Sequence, residues 1–257
     1  MSKTYVFAPD LHFPVVHWPT WKALVHFLSE NKVDGFVFGG DQLDSQEVSP
    51  HTKGKPLLRE GKRLKRHTED FDTLIFSPIE KLLGKGVEKV WIEGNHSHWV
   101  KQYIEQHPEL EGTLEYELVL NLEKRGWKFI PCGRSFKKGK LTFIHGETLS
   151  GIGNQVSGQP AKKAVDAYAT SVLFGHFHAL SVHTRIMPQD QTQKWIGVCS
   201  PILGATNPSY LRNRPTAWMN GFTIVEFQDN GNFNVFPIVA TNGVFSYGGK
   251  TYGKQGR

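Results

Sequence analysis

One junction recurs along this chain and limits what it can become: a short apolar run that ends abruptly in metal-ligating residues. Ser171-Val172-Leu173-Phe174 runs into Gly175-His176-Phe177-His178. Four earlier runs end in Asp10-Leu11-His12, Gly40-Asp41-Gln42-Leu43-Asp44, Gly94-Asn95-His96 and His145-Gly146. Short apolar runs bounded by Gly and Pro read as buried strands. Five polar boxes at five strand ends converge on one edge of a sheet, where open α/β folds place their sites. The chain is therefore read as an α/β protein with a many-donor centre at the carboxyl ends of its strands.

Residues 5–8 form the first expected strand, broken by Pro9. Pro19 and Thr20 start a helix on which Trp21, Leu24, Val25 and Leu28 share a face. Residues 35–38 are the second strand, completing a βαβ unit and implying parallel strands. The next crossover is long. An open polar loop over 45–56 leads into an amphipathic helix over 57–76, with Arg59, Lys62, Arg63 and Arg66 as a basic stripe and Pro78 expected to interrupt it. Residues 89–93 are the third strand, and 98–107 and 114–124 read as helices. Strand sequence dominates after Trp127, with a hairpin signal at Asp229-Asn230-Gly231-Asn232. This gives one domain over 1–246, with 45–88 as an extended insertion in the crossover, and a mobile Gly/Lys-rich tail over 247–257.

Composition sets a few bounds. The 257 residues are 39% hydrophobic and 12% aromatic, enough for a packed core rather than a disordered chain. No apolar run approaches the roughly 20 residues that span a bilayer, so the expectation is a cytoplasmic protein with no membrane association. Cys132 and Cys199 are too few for a disulfide framework and are read as buried thiols. A formal charge of +6 favours an anionic partner.

The donors are carboxylates, imidazoles and an amide oxygen, without thiolate. They suit a hard-to-borderline divalent ion such as manganese, iron or zinc. There are more of them than one ion needs. If Asp41 bridges, Asp10, His12 and His178 serve one ion, and Asn95, His145 and His176 serve another. Two ions ~3.5–4 Å apart activate a water and neutralise phosphoryl oxygens.

The ordered set Asp10-x-His12, Gly40-Asp41-x-x-Asp44, Gly94-Asn95-His96, His145-Gly146 and Gly175-His176-x-His178 resembles the calcineurin-like metallophosphoesterase superfamily, and it spans residues 10–178. The resemblance implies a four-layer α/β/β/α sandwich, two mixed β-sheets packed face to face and flanked by helices. It implies the same division of the donors, with manganese first and iron, zinc or nickel as alternatives. It also implies that His96 contacts the phosphoryl oxygen and assists the leaving group, and that Asp44 orients the His96 imidazole. Ser97-His98 stands where the family often has an acidic residue.

The functional expectation is a phosphodiesterase, a nuclease acting on nucleic acid, that works by in-line attack of a metal-bridging hydroxide. The alternatives are a phosphomonoesterase acting on nucleotides or phosphoproteins, and a catalytically silent metal-binding adaptor. Substrate contacts are expected from Arg59, Lys62, Arg63, Arg66 and His98. Arg212 and Arg214 join them from a Pro-rich loop that also carries Tyr210 and Trp218. Each has a plainer reading as solvated helix face, surface histidine or core-covering loop. The Gly-rich stretch 148–159 is read as a flap or a connector.

Overall fold

Side-chain parity along the first strands sets the layering. The computed structural model describes residues 2–150, 159–211 and 214–253. In β1 (Lys3–Ala8), Tyr5 and Phe7 enter one apolar cluster while Val6 and Ala8 enter another. In β2 (Gly35–Phe38), Val37 parts from Phe36 and Phe38; in β3 (Glu88–Ile92), Val90 and Ile92 part from Trp91. A pleated strand sends successive side chains to opposite faces, so a strand covered on both faces must be apolar throughout.

These strands, with β4 (Trp127–Ile130), are parallel. The second sheet is built from β5 (Phe136–Lys138), β6 (Leu141–Phe143), β7 (Ser171–Phe174), β8 (Ser181–Met187) and β9 (Asp190–Cys199), in the order β5-β6-β7-β9-β8. The chain then returns to the first sheet as the antiparallel hairpin β10 (Gly221–Phe227) and β11 (Phe233–Val239), giving the order β11-β10-β1-β2-β3-β4. Both sheets are mixed. They meet face to face through Tyr5, Phe7, Val37, Phe143, Leu173 and Val225. The outer face of the first is covered by α1 (Trp18–Glu30) and the later crossover helices. The outer face of the second is covered by α7 (Pro160–Tyr168), through Ala164 and Val165. This is the α/β/β/α sandwich that the resemblance implies. Among the described residues no helix is long and apolar enough to cross a membrane.

Several local expectations change. The helix expected over 57–76 is split into α2 (Pro56–Arg59) and α3 (Leu64–Phe71), because the intervening Gly61 sits at φ 72°. Pro78 does not interrupt the helical path. A π-helical turn at Asp72–Phe76 carries α3 into α4 (Ser77–Leu83), with the Ser77 N–H bonding back to the Asp72 carbonyl. The wider turn accommodates a proline that has no N–H and whose ring would clash one turn back. Helix α5 (Asn95–Gln106) starts directly after β3 rather than at 98, and the helix expected over 114–124 shrinks to α6 (Tyr116–Val119). The tail expected from 247 instead begins inside the hairpin of β12 (Phe245–Tyr247) and β13 (Lys250–Tyr252). Tyr252 is 2% exposed and packs on Phe245 and Phe27. Two aromatic anchors outweigh a solvating composition; residues 254–257 lie outside the described residues. Cys199 is buried, but Cys132 is only half-buried.

Candidate metal centre

Each ligand box leaves the carboxyl end of a strand. Asp10 and His12 follow β1, Asp41 follows β2, His145 follows β6, and His176 and His178 follow β7; Asn95 and His96 open α5. The turns are sharp. Asp10, His12, Asp41, His176 and His178 have φ of 51, 51, 52, 67 and 60°, the left-handed region in which Asp and His are over-represented and which functional sites hold under strain. Two glycines permit the close approach. A Cβ on Gly94 would lie 2.1 Å from Asp41 Oδ1, and one on Gly175 would lie 2.3 Å from Asp10 Oδ2.

The donors gather in two groups that share an edge. In the first, His178 Nε2 lies 3.4 Å from Asp10 Oδ1 and 3.1 Å from His12 Nε2. In the second, His145 Nε2 lies 3.1 Å from Asp41 Oδ2, 3.0 Å from Asn95 Oδ1 and 3.3 Å from His176 Nδ1. Ligand atoms of Asp10, His12 and His178 fall within 4.8 Å of one another, and so do those of Asp41, His145 and His176; a third such group joins His12, Asp41 and His96. Asp41 thus stands between the two sets.

Hydrogen bonds behind the donors fix which atoms face inward. His145 Nδ1 lies 3.0 Å from the Gly39 carbonyl, which only accepts, so that nitrogen carries a proton and Nε2 is the one turned to the cluster. His12 Nδ1 donates to Asp44 at 3.2 Å. His176 Nε2 meets Ser150 Oγ at 3.0 Å, leaving Nδ1 to face the cluster. The first-turn N–H of His96 donates to Asp41 Oδ1 at 2.9 Å, which points the positive end of α5 at this carboxylate. Asp10 accepts from the His176 N–H through Oδ2, while its Oδ1 is buried with no hydrogen-bond donor. A fully buried oxygen without a donor, facing two imidazole nitrogens, fits a cation.

Charge follows the same pattern. Burial alone would raise Asp10 and Asp41, but the surrounding imidazoles hold both below the usual carboxylate range. Burial alone would lower His145, but Asp41 carries it up to about 10; burial takes His176 down to about 4, helped by the charge on His145. The centre is a pool of carboxylates and imidazoles that share protons where divalent ions would replace them.

His96 and Asp44 sit at its rim. His96 Nδ1 is 2.9 Å from the Asp44 carbonyl and 3.1 Å from Asp44 Oδ1, so its Nε2 is turned towards the cluster, 3.9 Å from Asp41 Oδ2. The same Asp44 oxygen also holds His12, a second role that the sequence pattern does not reveal. Trp99 lies against the His96 ring at 3.9 Å between centroids and 31° between planes. A helix expected to start only after His96 hides this contact. With α5 starting at Asn95, residues 96 and 99 share a face.

A cleft of about 770 Å³ opens over the cluster. The crossover after β2 contributes Gln46, Ser49, His51, Lys55, Leu58 and Lys62 to its lining, and the segment after β9 contributes Tyr210, Arg214 and Trp218. Of the basic stripe only Lys62 reaches this cleft. The Arg59 guanidinium turns inward to Thr52 Oγ1 at 2.8 Å and the Ser49 carbonyl at 3.1 Å, and so braces the insertion. Arg63 bonds the neighbouring Lys62 carbonyl, and Arg66 pairs with Asp70 on the solvent side of α3. His98 lies two residues beyond His96, about 200° around a helix, and sits beside Glu93 instead of the cleft. Arg214 lines the cleft; Arg212 and residues 151–158 of the expected flap lie outside the described residues.

The family description "Calcineurin-like phosphoesterase" matches residues 3–181. Among curated proteins the chain is similar to the Gene 54 protein of Mycobacterium phage D29, with 25% identity over 236 residues, 90% of this chain and 91% of that one. It is also similar to the Gene 54 protein of Mycobacterium phage L5, with 23% identity over 259 aligned positions, 98% and 99% of the two chains. Among solved structures, wild-type Vps29 complexed with zinc, from Entamoeba histolytica, superposes with a TM-score of 0.47 at 10% identity, covering 95% of this chain and 96% of that one.

Proposed function

Because the chain belongs to the calcineurin-like phosphoesterase family, we propose that it is a metal-dependent hydrolase acting on phosphodiesters of nucleic acid. One observation carries the choice of substrate: Lys55, Lys62 and Arg214 line the same cleft as the donor cluster. Three cations around one reacting phosphate suit a polyanion better than a single small ester.

Asp10, His12 and His178 would hold one divalent ion and Asn95, His145 and His176 the other, with Asp41 shared; manganese suits these donors, with iron, zinc or nickel as alternatives. Such ions supply an acidified water as nucleophile and neutralise the phosphoryl oxygens. The chain's own residues do the rest. Asp44 holds the His96 Nδ1 proton, so Nε2 is the nitrogen turned to the substrate, and in the imidazolium form it contacts a phosphoryl oxygen and gives its proton to the departing oxygen. Trp99 limits the tilt of that ring. The His96 N–H pins Asp41 Oδ1 and leaves Oδ2 for the cluster.

The test is to incubate purified protein and manganese with single-stranded DNA, RNA, duplex DNA, and bis- and mono-p-nitrophenyl phosphate. Diester cleavage that weakens steeply with salt is the expected result. Cleavage of the monoester alone would instead indicate a phosphomonoesterase, and bound metal without turnover an adaptor. Full activity in Asp41→Ala or His96→Ala would refute the site itself.

A further inference from the structure

We propose that the cleft is a clamp for an unpaired strand, with Tyr210 stacking one base while Lys55 and Arg214, from two separate segments of its lining, take its flanking phosphates. This rests on the phosphodiesterase reading and narrows it to a substrate form.

The first lining segment, from the insertion, is braced in place. Besides the Arg59 bonds, Thr52 Oγ1 donates to the Gln46 carbonyl at 2.9 Å, Ser45 Oγ meets Tyr116 Oη at 2.8 Å, and His51 packs edge-on against Trp99 at 5.5 Å. The second lining segment is tied to the metal centre: the Met219 N–H donates to the His178 carbonyl at 2.8 Å, and Trp218 meets the His178 ring at 4.3 Å. The cleft that both segments line, about 770 Å³, falls in the ~300–1,000 Å³ range of small-ligand pockets. It suits a nucleotide or two rather than a duplex segment.

The lining points the same way. Asp41, in the cluster, and Asp44, at its rim, are the only carboxylates among the described lining residues. Trp99 and Trp218 already pack on His96 and His178. Tyr210 and Leu58, one from each lining segment, remain 42% and 40% exposed. Burial raises the Tyr210 hydroxyl, and the charges of Asp44 and Asp41 add to the rise. A duplex hides its base faces and presents phosphates, for which cations suffice. An unpaired base offers a π-face to an aromatic ring, and aromatic rings interleaved with cations are how single strands are held.

The experiment compares kcat/KM with manganese for a single-stranded oligonucleotide, the same sequence as a duplex, and bis-p-nitrophenyl phosphate. Single strand should exceed duplex by about 100-fold or more. Tyr210→Ala should lower the ratio of oligonucleotide to bis-p-nitrophenyl kcat/KM by about 10- to 100-fold, the worth of one stacked base, and Tyr210→Phe should restore it. Lys55→Ala should reduce the salt slope of oligonucleotide binding by about one. Equal cleavage of duplex and single strand, or an unchanged ratio in a folded Tyr210→Ala, overturns the clamp while the phosphodiesterase reading survives. Cleavage of the nitrophenyl diester with neither oligonucleotide overturns both the clamp and the choice of nucleic acid as substrate.

Discussion

Asp44→Asn should damage two functions at once, and each can be measured separately. One carboxylate oxygen lies 3.2 Å from His12 Nδ1 and 3.1 Å from His96 Nδ1, in a side chain that is almost wholly buried. Burial opposes its ionisation, but the two imidazoles outweigh burial and hold the carboxyl below its usual range. Asparagine keeps the shape and loses the charge, so two charge-assisted hydrogen bonds become neutral ones at a loss of about 1–2 kcal/mol each. Through His12, affinity for the ion held with Asp10 and His178 should fall about 5- to 30-fold, since about 1.4 kcal/mol is tenfold. Through His96, kcat at saturating metal should fall by a similar factor. Calorimetric titration with manganese reads the first effect, and steady-state hydrolysis of bis-p-nitrophenyl phosphate reads the second. In a His12→Ala background the effect on metal affinity should vanish while the effect on kcat remains. A fall in kcat with unaltered affinity at both sites would show that Asp44 serves His96 alone and that the His12 contact carries no energy.

The geometry sets three further outcomes. His176→Ala and His178→Ala should each lower the bound metal from two ions to one, and the double variant should bind none; elemental analysis showing the same residual site in both single variants would refute the division of donors. Gly94→Ala should push the Asp41 carboxylate aside, because its Cβ would sit 2.1 Å from Oδ1; metal affinity should fall by at least about tenfold, with a fold intact by circular dichroism. Far from the centre, burial, helped by the hydrogen bond to Glu88, pushes Tyr5 from 10.0 up to about 12. A group raised in the folded state stabilises fully below its unfolded value and loses that contribution as pH climbs through the folded one. The thermal-midpoint advantage of the wild type over Tyr5→Phe should therefore shrink between about pH 10 and about pH 12; a constant difference across that window would refute the link.

The donors and the layers were legible in the sequence because both are local properties. A strand that is apolar throughout announces two covered faces, and each box combines a chain-turning position with a ligating side chain within a few residues. What lay beyond reach depended on where a side chain points once its neighbours are packed. Arg59 and Lys62 belong to one basic stripe in sequence, yet the break at Gly61 turns the first into a brace for Ser49 and Thr52 and leaves the second in the cleft. Trp99 becomes a neighbour of His96 only because α5 starts at Asn95. Tyr252, in a stretch that composition assigns to solvent, finds Phe27 more than two hundred positions away.

The sequence by itself therefore determined the α/β sheet edge, the types of metal-ligating side chain brought to it and their order along the chain. The tertiary structure alone decided that Asp44 serves two histidines and that residues 46–62 line the cleft over the cluster. The physical reason is range. Ligand identity and strand parity are carried by adjacent residues, whereas shared hydrogen bonds and cavity shape arise only when segments such as 46–62 and 209–218 meet across the fold.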